Sequence, residues 1–249
     1  MKPNKLYISK IVSACLLGDA TIRKDDSSGK NRNAHMRLKQ IPAHKDHLNY
    51  IAEKLADLTK IVFYYEKPVT VHFKDGHIGH GKGVYILKTQ NHPFYTSLRQ
   101  RWYLNGVKHI DPHVCTLLDN EMLAIWYQQD GYITMNRKDC VNPSITLCTD
   151  CFTYGDLMMI RRALIEKTGF IFNPQKKSIN SKGEQTYRLH LYRKQTDKFI
   201  DSIFPYVQPS FYYKLGFNNE EQPAMVEDIV CSLSEDKEIH RNDVSLSSI

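Results

Sequence analysis

The chain has 249 residues, 41% of them hydrophobic, and a formal net charge of +7. That is enough apolar content for a sizeable core, as one body or as two small domains, and no apolar run reaches the length needed to span a bilayer. Met1-Lys2-Pro3-Asn4-Lys5 lacks the extended core of a signal peptide, so a soluble protein with no membrane partner is expected.

The first element in the chain is the apolar run Ile11-Val12-Ser13-Ala14-Cys15-Leu16-Leu17-Gly18-Asp19-Ala20, which reads as a helix over 11–18 ending on a single acid. A polar loop follows, then alternation over 34–40, a strand that puts His35, Arg37 and Lys39 on one face. Leu48, Ile51, Leu55 and Leu58 carry a helical pattern. A Gly-rich stretch with Lys74, His77, His80 and Lys82 reads as a hairpin or loop, and strand-like 85–88 leads into a helix over 94–103. The order then begins again. An apolar run over 121–129 ends at Asp130-Gly131, followed by a polar loop, strand-like 144–149 and a helix through Leu157, Ile160, Leu164 and Ile165. Lys176, Lys177 and Lys182 form a second basic loop. Strand-like 187–192 then sets Arg188, His190 and Tyr192 on one face before a helix over 198–204. The two aspartates lie 111 positions apart, about one small domain. Matching order rather than close identity argues for duplication.

Charge divides the chain differently. Residues 218–249 hold eight acids against two bases, leaving 32 bases and 19 acids in residues 1–217. The body is strongly basic, the electrostatic footprint of a nucleic-acid binder, and the Ser- and acid-rich tail reads as a mobile end. Six scattered cysteines include one C-x-x-C, Cys148 and Cys151. Without a second pair to complete four ligands, they fit free thiols in a reducing compartment better than a zinc site.

An acid closing an apolar helix is costly to bury unless something compensates it. If the two helices pack side by side, Asp19 and Asp130 emerge together at one end of the interface, with Ala14, Gly18 and Ala124 small enough for close approach. Two carboxylates so placed repel unless a divalent cation sits between them, and Mg2+ suits all-oxygen ligands while keeping waters for a phosphate and a nucleophile. With a basic surface around it, the chemistry indicated is metal-assisted phosphodiester hydrolysis. The bland reading is that each aspartate ends a core helix in a turn, since Gly-Asp and Asp-Gly are turn dipeptides. It suffices for one copy and poorly for two.

These segments resemble the LAGLIDADG homing endonucleases in their single-chain, two-motif form. Leu16-Leu17-Gly18-Asp19 and the run from Leu123 to Gly131 match the two signature helices. The likeness continues through Asn31-Arg32-Asn33-Ala34, His92-Pro93-Phe94-Tyr95, Arg101-Trp102-Tyr103-Leu104-Asn105-Gly106, Leu147-Cys148-Thr149-Asp150 and the stretch 205–215. The resemblance implies an α+β fold of two pseudo-symmetric αββαββα-like halves, whose antiparallel sheets form a saddle over DNA. Residues 1–113 and 114–217 would be the N- and C-terminal halves, and 218–249 the tail. It also implies a monomer and a Mg2+-dependent double-strand cut, leaving 3′ overhangs on a long nonpalindromic site. Two or three cations would be held at Asp19 and Asp130, with Gly18 and Gln129 beside them. Lys108 and Lys214 would be the basic residues that stabilise developing phosphate charge. His35, Arg37, Lys39, Arg188, His190 and Tyr192 on the strands, and Lys82, Lys176 and Lys177 on loops, would contact DNA. Ala20 in place of the glycine that usually follows the first acid, and Gln129 where an acid is common, depart from the pattern. The same scaffold also serves group I intron splicing cofactors (maturases) and non-cleaving nucleic-acid binders, so intron RNA stands as the alternative partner.

Overall fold

The computed structural model describes residues 4–24, 33–72, 78–134 and 143–217. Lys74, His77 and the 218–249 tail lie outside the described residues. The first half runs α1 (Lys5–Leu17), β1 (Thr21–Arg23), β2 (His35–Gln40), α2 (Lys45–Leu55), β3 (Ile61–Glu66), a small hairpin of β4 (Thr70–His72) and β5 (Ile78–His80), β6 (Val84–Thr89) and α3 (Pro93–Trp102). A short hairpin, β7 (Tyr103–Leu104) and β8 (Val107–Lys108), and a single turn, α4 (Val114–Leu117), lead into the second half. That half runs α5 (Asn120–Asp130), β9 (Gly131–Thr134), β10 (Ser144–Leu147), α6 (Tyr154–Thr168), β11 (Phe172–Ile179), β12 (Gln185–Leu191) and α7 (Thr196–Ile203). The sheet orders are β1-β2-β6-β3 and β9-β10-β12-β11, and every pairing is antiparallel. One topology therefore occurs twice, as αββαββα, with the β4–β5 hairpin inserted in the first copy only.

Local chemistry sets the helix boundaries. Asn4 and Asp119 cap α1 and α5, accepting hydrogen bonds from the backbone N–H groups of Tyr7 and Met122. A Thr153/Asp156 capping box starts α6, and Gly169 ends it at φ 75°, a left-handed conformation that favours glycine. α1 and α5 are buried on nearly every face, from Ile8 to Leu17 and from Glu121 to Gln129, because they pack on each other at the centre of one continuous core. Truncating a fully buried side chain there, such as Leu16 or Leu123, is expected to cost about 2–5 kcal/mol. At the N-terminal end of α5 the halves are joined by a polar clasp. Glu121 accepts hydrogen bonds from the hydroxyls of Tyr7 (3.0 Å) and Tyr50 (2.7 Å) and from Lys10 Nζ (2.7 Å).

Each sheet has one face against helices and, among the described residues, one without them. In the first sheet Met36, Leu38 and Leu87 turn inward and are buried. The cross-strand rows Arg37–Lys88–Val62 and Lys39–Ile86–Tyr64 form the other face. In the second sheet the row Tyr132–Thr146–His190–Asn173, and Arg188 opposite Gln175, form the equivalent face.

Several expectations need adjusting. α1 begins at Lys5, not at residue 11, and the polar stretches after both aspartates open with strands, β1 and β9. Lys176 and Lys177 are not on a loop: they lie on β11, while Lys182 sits in the turn closing the hairpin. As a sheet-edge strand exposed over most of its length, β11 has no inward-outward alternation to announce it, and it tolerates Pro174. β12 ends at Leu191, so Tyr192 lies just past the strand.

Candidate active site

Each central helix feeds directly into the first strand of its sheet, and the two aspartates stand at those junctions. Asp130 is the last residue of α5; Asp19 follows the end of α1 by two residues. Two lysines brace the same junctions. Lys108, on β8, donates from Nζ to the carbonyl oxygens of Gly18 (3.1 Å) and Ala20 (3.2 Å). Lys214, on a 3-10 turn spanning Pro209–Leu215, donates to the carbonyls of Gln128 (2.7 Å) and Gln129 (3.4 Å). Each lysine thus caps the negative end of the signature helix in its own half.

The four charged groups sense one another. Burial pushes the Asp130 carboxyl up to about 7, the negative charge of Asp19 adds to that, and Lys108 and Lys214 oppose it. Asp19 is open to solvent, yet enough protein crowds its carboxyl to raise its pKa, against the Gln40 hydrogen bond and both lysines. Burial lowers the pKa of each lysine, while both aspartates act in the opposite sense. The centre therefore holds two carboxylates that disfavour each other's charge and two ammonium groups that offset it.

Around Asp19 lies a set of residues drawn from both halves. Gln40, at the end of β2, donates from Nε2 to Asp19 Oδ2 at 2.8 Å. Its Oε1 lies 3.4 Å from His44 Nδ1, and the His44 ring packs on Phe211 of the second half with centroids 3.9 Å apart. Gln129 reaches across the helix interface, its Oε1 accepting the backbone N–H of Asp19 at 2.9 Å. Its Nε2 lies 3.0 Å from Nε2 of buried His47, whose Nδ1 is 2.9 Å from Gln208 Oε1. Because Gln129 Nε2 can only donate and Gln208 Oε1 can only accept, this connectivity requires the neutral Nδ1–H tautomer of His47. Burial drives its pKa down to about 4. Gly18 makes room for the arrangement: a Cβ there would stand 2.5 Å from Gln129 Oε1.

The structure thus gathers Asp19, Asp130, Lys108, Lys214, Gly18 and Gln129 in one place. Gln129 is engaged at both ends of its carboxamide, which makes it a brace for Asp19. Gln40, His44 and His47 join the centre without any spacing signal in the sequence. His35 shares the face of Arg37 and Lys39 by register but is 1% exposed, so it is covered and not open for contact. Arg37 and Lys39 both pair with Glu66. Arg188 pairs with Asp150 at 2.8 Å, and His190 Nδ1 lies 3.0 Å from Thr146 Oγ1. Lys82, Lys176, Lys177 and Tyr192 are exposed.

The donor set around the junctions consists of hard oxygens, the two carboxylates and the helix-end carbonyls, and among the described residues no three His, Cys, Asp or Glu side chains converge on one point. Such a site suits a cation that keeps most of its shell as water or phosphate oxygen, as Mg2+ does. A soft metal needing thiolate or imidazole ligands does not fit.

Comparison with known proteins bears on this geometry. Residues 9–199 match the LAGLIDADG DNA endonuclease family. The chain is 29% identical over 133 residues to an uncharacterized protein of Methanocaldococcus jannaschii, covering 53% of this chain and spanning about half (48%) of that relative. It is 22% identical over 215 residues to the cytochrome b mRNA maturase bI2 of Debaryomyces hansenii, covering 86% of this chain and 76% of the maturase. Among solved structures, the homing endonuclease I-WcaI bound to its DNA recognition sequence superposes with a TM-score of 0.66 at 19% identity, over 88% of this chain and 89% of that one.

Proposed function

The chain belongs to the LAGLIDADG DNA endonuclease family, and on that basis we propose that it is a homing endonuclease that cuts both strands of a long, nonpalindromic DNA site in a divalent-cation-dependent hydrolysis. The observation that carries this reading is the convergence of the two helix junctions, where Gln129, next to Asp130, accepts the backbone N–H of Asp19 at 2.9 Å and a lysine of each half binds the junction carbonyls. Asp19 and Asp130, with the Gly18 carbonyl beside them, are the residues to hold Mg2+. Bound there, Mg2+ would supply an activated water and would offset charge on the scissile phosphates. Gln40 and Gln129 fix Asp19 through its carboxylate and its backbone N–H. Lys108 and Lys214 provide positive charge where the phosphates are attacked, and their partial burial strengthens that field. The two sheet faces differ in side chains, so the half-sites they read need not match. One chain supplies both halves, and the working unit is a monomer.

The second reading, an intron splicing cofactor, has the likeness to the Debaryomyces maturase in its favour. RNA scaffolding gives no physical reason to keep two mutually repelling carboxylates at the helix junctions, which favours cleavage. The deciding experiment incubates the purified chain with DNA spanning the uninterrupted form of its gene's insertion site, with Mg2+ or EDTA, and Asp130→Asn as control. A discrete Mg2+-dependent double-strand cut, absent in the variant, supports the endonuclease. Absence of any cut, with tight binding to the intron transcript, overturns it in favour of the cofactor.

A further inference from the structure

On the helix-free face of the first sheet one acid stands among bases. Glu66, at the end of edge strand β3, reaches over β6 to both basic residues of β2. Its Oε1 lies 3.1 Å from Arg37 Nη2, and its Oε2 lies 2.5 Å from Lys39 Nζ. The Arg37 guanidinium also sits over the Tyr64 ring, 5.8 Å from its centroid. Ile86, paired on this face with Lys39 and Tyr64, is fully buried. The four polar side chains therefore roof an apolar floor in a defined arrangement. Beside them opens a depression of about 540 Å3, with Lys39, Glu66, Lys82 and Val84 in its wall.

A carboxylate on a surface that faces phosphates weakens general DNA affinity, because it repels the backbone and cancels a neighbouring base. Its presence makes physical sense if it discriminates. In the major groove guanine offers two acceptors, O6 and N7, which suit Arg37 and Lys39, and cytosine offers the N4 donor that a carboxylate accepts. An A·T pair sets the adenine N6 donor against the cationic donors, and thymine gives Glu66 no partner. Resting on the DNA-binding reading above, the geometry points to Arg37, Glu66 and Lys39 as one specificity unit that reads G·C in the half-site under the first sheet. The second sheet has only a partial counterpart: Arg188 pairs with Asp150 at 2.8 Å and sits 5.9 Å from the Tyr132 ring centroid, and among the described residues no second base shares that carboxylate. Its equivalent face carries Tyr132, Thr146, Asn173, Gln175 and His190, neutral hydroxyl, amide and imidazole groups, beside Arg188 paired with Asp150.

The test selects binding sites from a randomised duplex library without Mg2+, using full-length wild type, Glu66→Gln, Arg37→Ala and Asn173→Ala. Wild type is expected to enrich G·C at one or two adjacent positions on one side of the site. Glu66→Gln should relax that preference by about 5- to 150-fold while binding non-specific duplex more tightly, and Arg37→Ala should lose it at the same positions. Asn173→Ala should change positions only on the other side. If Glu66→Gln recovers the wild-type sequence at wild-type enrichment, the unit is a solvated ion pair and the assignment is overturned. If wild type enriches no sequence at all, the DNA-recognition reading itself fails and the assignment falls with it.

Discussion

The two halves repeat one backbone and diverge in what they hang on it. In both, a buried helix leads to an aspartate at its junction with the first strand of a four-stranded sheet, and a lysine from elsewhere in the same half holds carbonyls at that junction. Where the halves meet, symmetry gives way: Gly18 faces Gln129, and the glutamine side chain fills the space that a second one would need. On the sheets the first half joins two bases to one acid, and the second pairs a single arginine with an acid beside neutral polar groups. The groups at the helix junctions are duplicated, and those on the sheet faces or packed across the helix interface differ.

The comparison can be broken most forcefully at the aspartates. Asp19→Asn and Asp130→Asn should each reduce cleavage by about 10³-fold or more, with DNA binding retained in gel-shift assays. Unequal loss would mean that the halves do not contribute alike. Lys108→Met and Lys214→Met should each lower cleavage by about 10²- to 10³-fold, again with binding kept, measured as single-turnover rates.

At the interface, Gly18→Ala should destabilise the fold by about 1–3 kcal/mol in denaturant unfolding, because its methyl group meets Gln129. Adding Gln129→Ala should recover part of that loss, so the double variant is less than additive. A strictly additive result would place the strain elsewhere.

The smallest effect expected is on pH dependence. Asp130, raised to about 7, binds its proton more tightly folded than unfolded. It therefore removes stability as pH rises from about 4 to 7 in cation-free buffer. His47, lowered to about 4, does the reverse, removing stability as pH falls through the window between about 6.5 and 4. The wild-type midpoint should vary little across that window, and Asp130→Asn should expose the His47 limb, with stability falling as the buffer is acidified.

Much of this organisation is legible in the sequence, for reasons specific to certain segments. The helices α1 and α5 announce themselves because they are buried all round, and their aspartates stand out as acids ending apolar runs. Lys108 and Lys214 are expected from the family resemblance, and each donates to carbonyls at the helix–strand junction of its own half. Register places Arg37 and Lys39 on one face with His35, but period two says nothing about what covers a strand, and His35 is buried. Gln40, His44 and His47 sit inside a strand, a turn and a helix whose apolar patterns hide them. They join the centre through contacts with Asp19, Phe211 and Gln208 that no local spacing encodes. Glu66 escapes for the same reason, its partners lying two strands away.

The most direct test of a single centre shared by the two halves is the thermal shift produced by Mg2+ at pH 8, compared among wild type, Asp19→Asn and Asp130→Asn. The account predicts a Tm increase for wild type that is lost to the same extent in either variant. A response that survives intact in one variant would show that the cation is held by one half alone, and would contradict the shared centre.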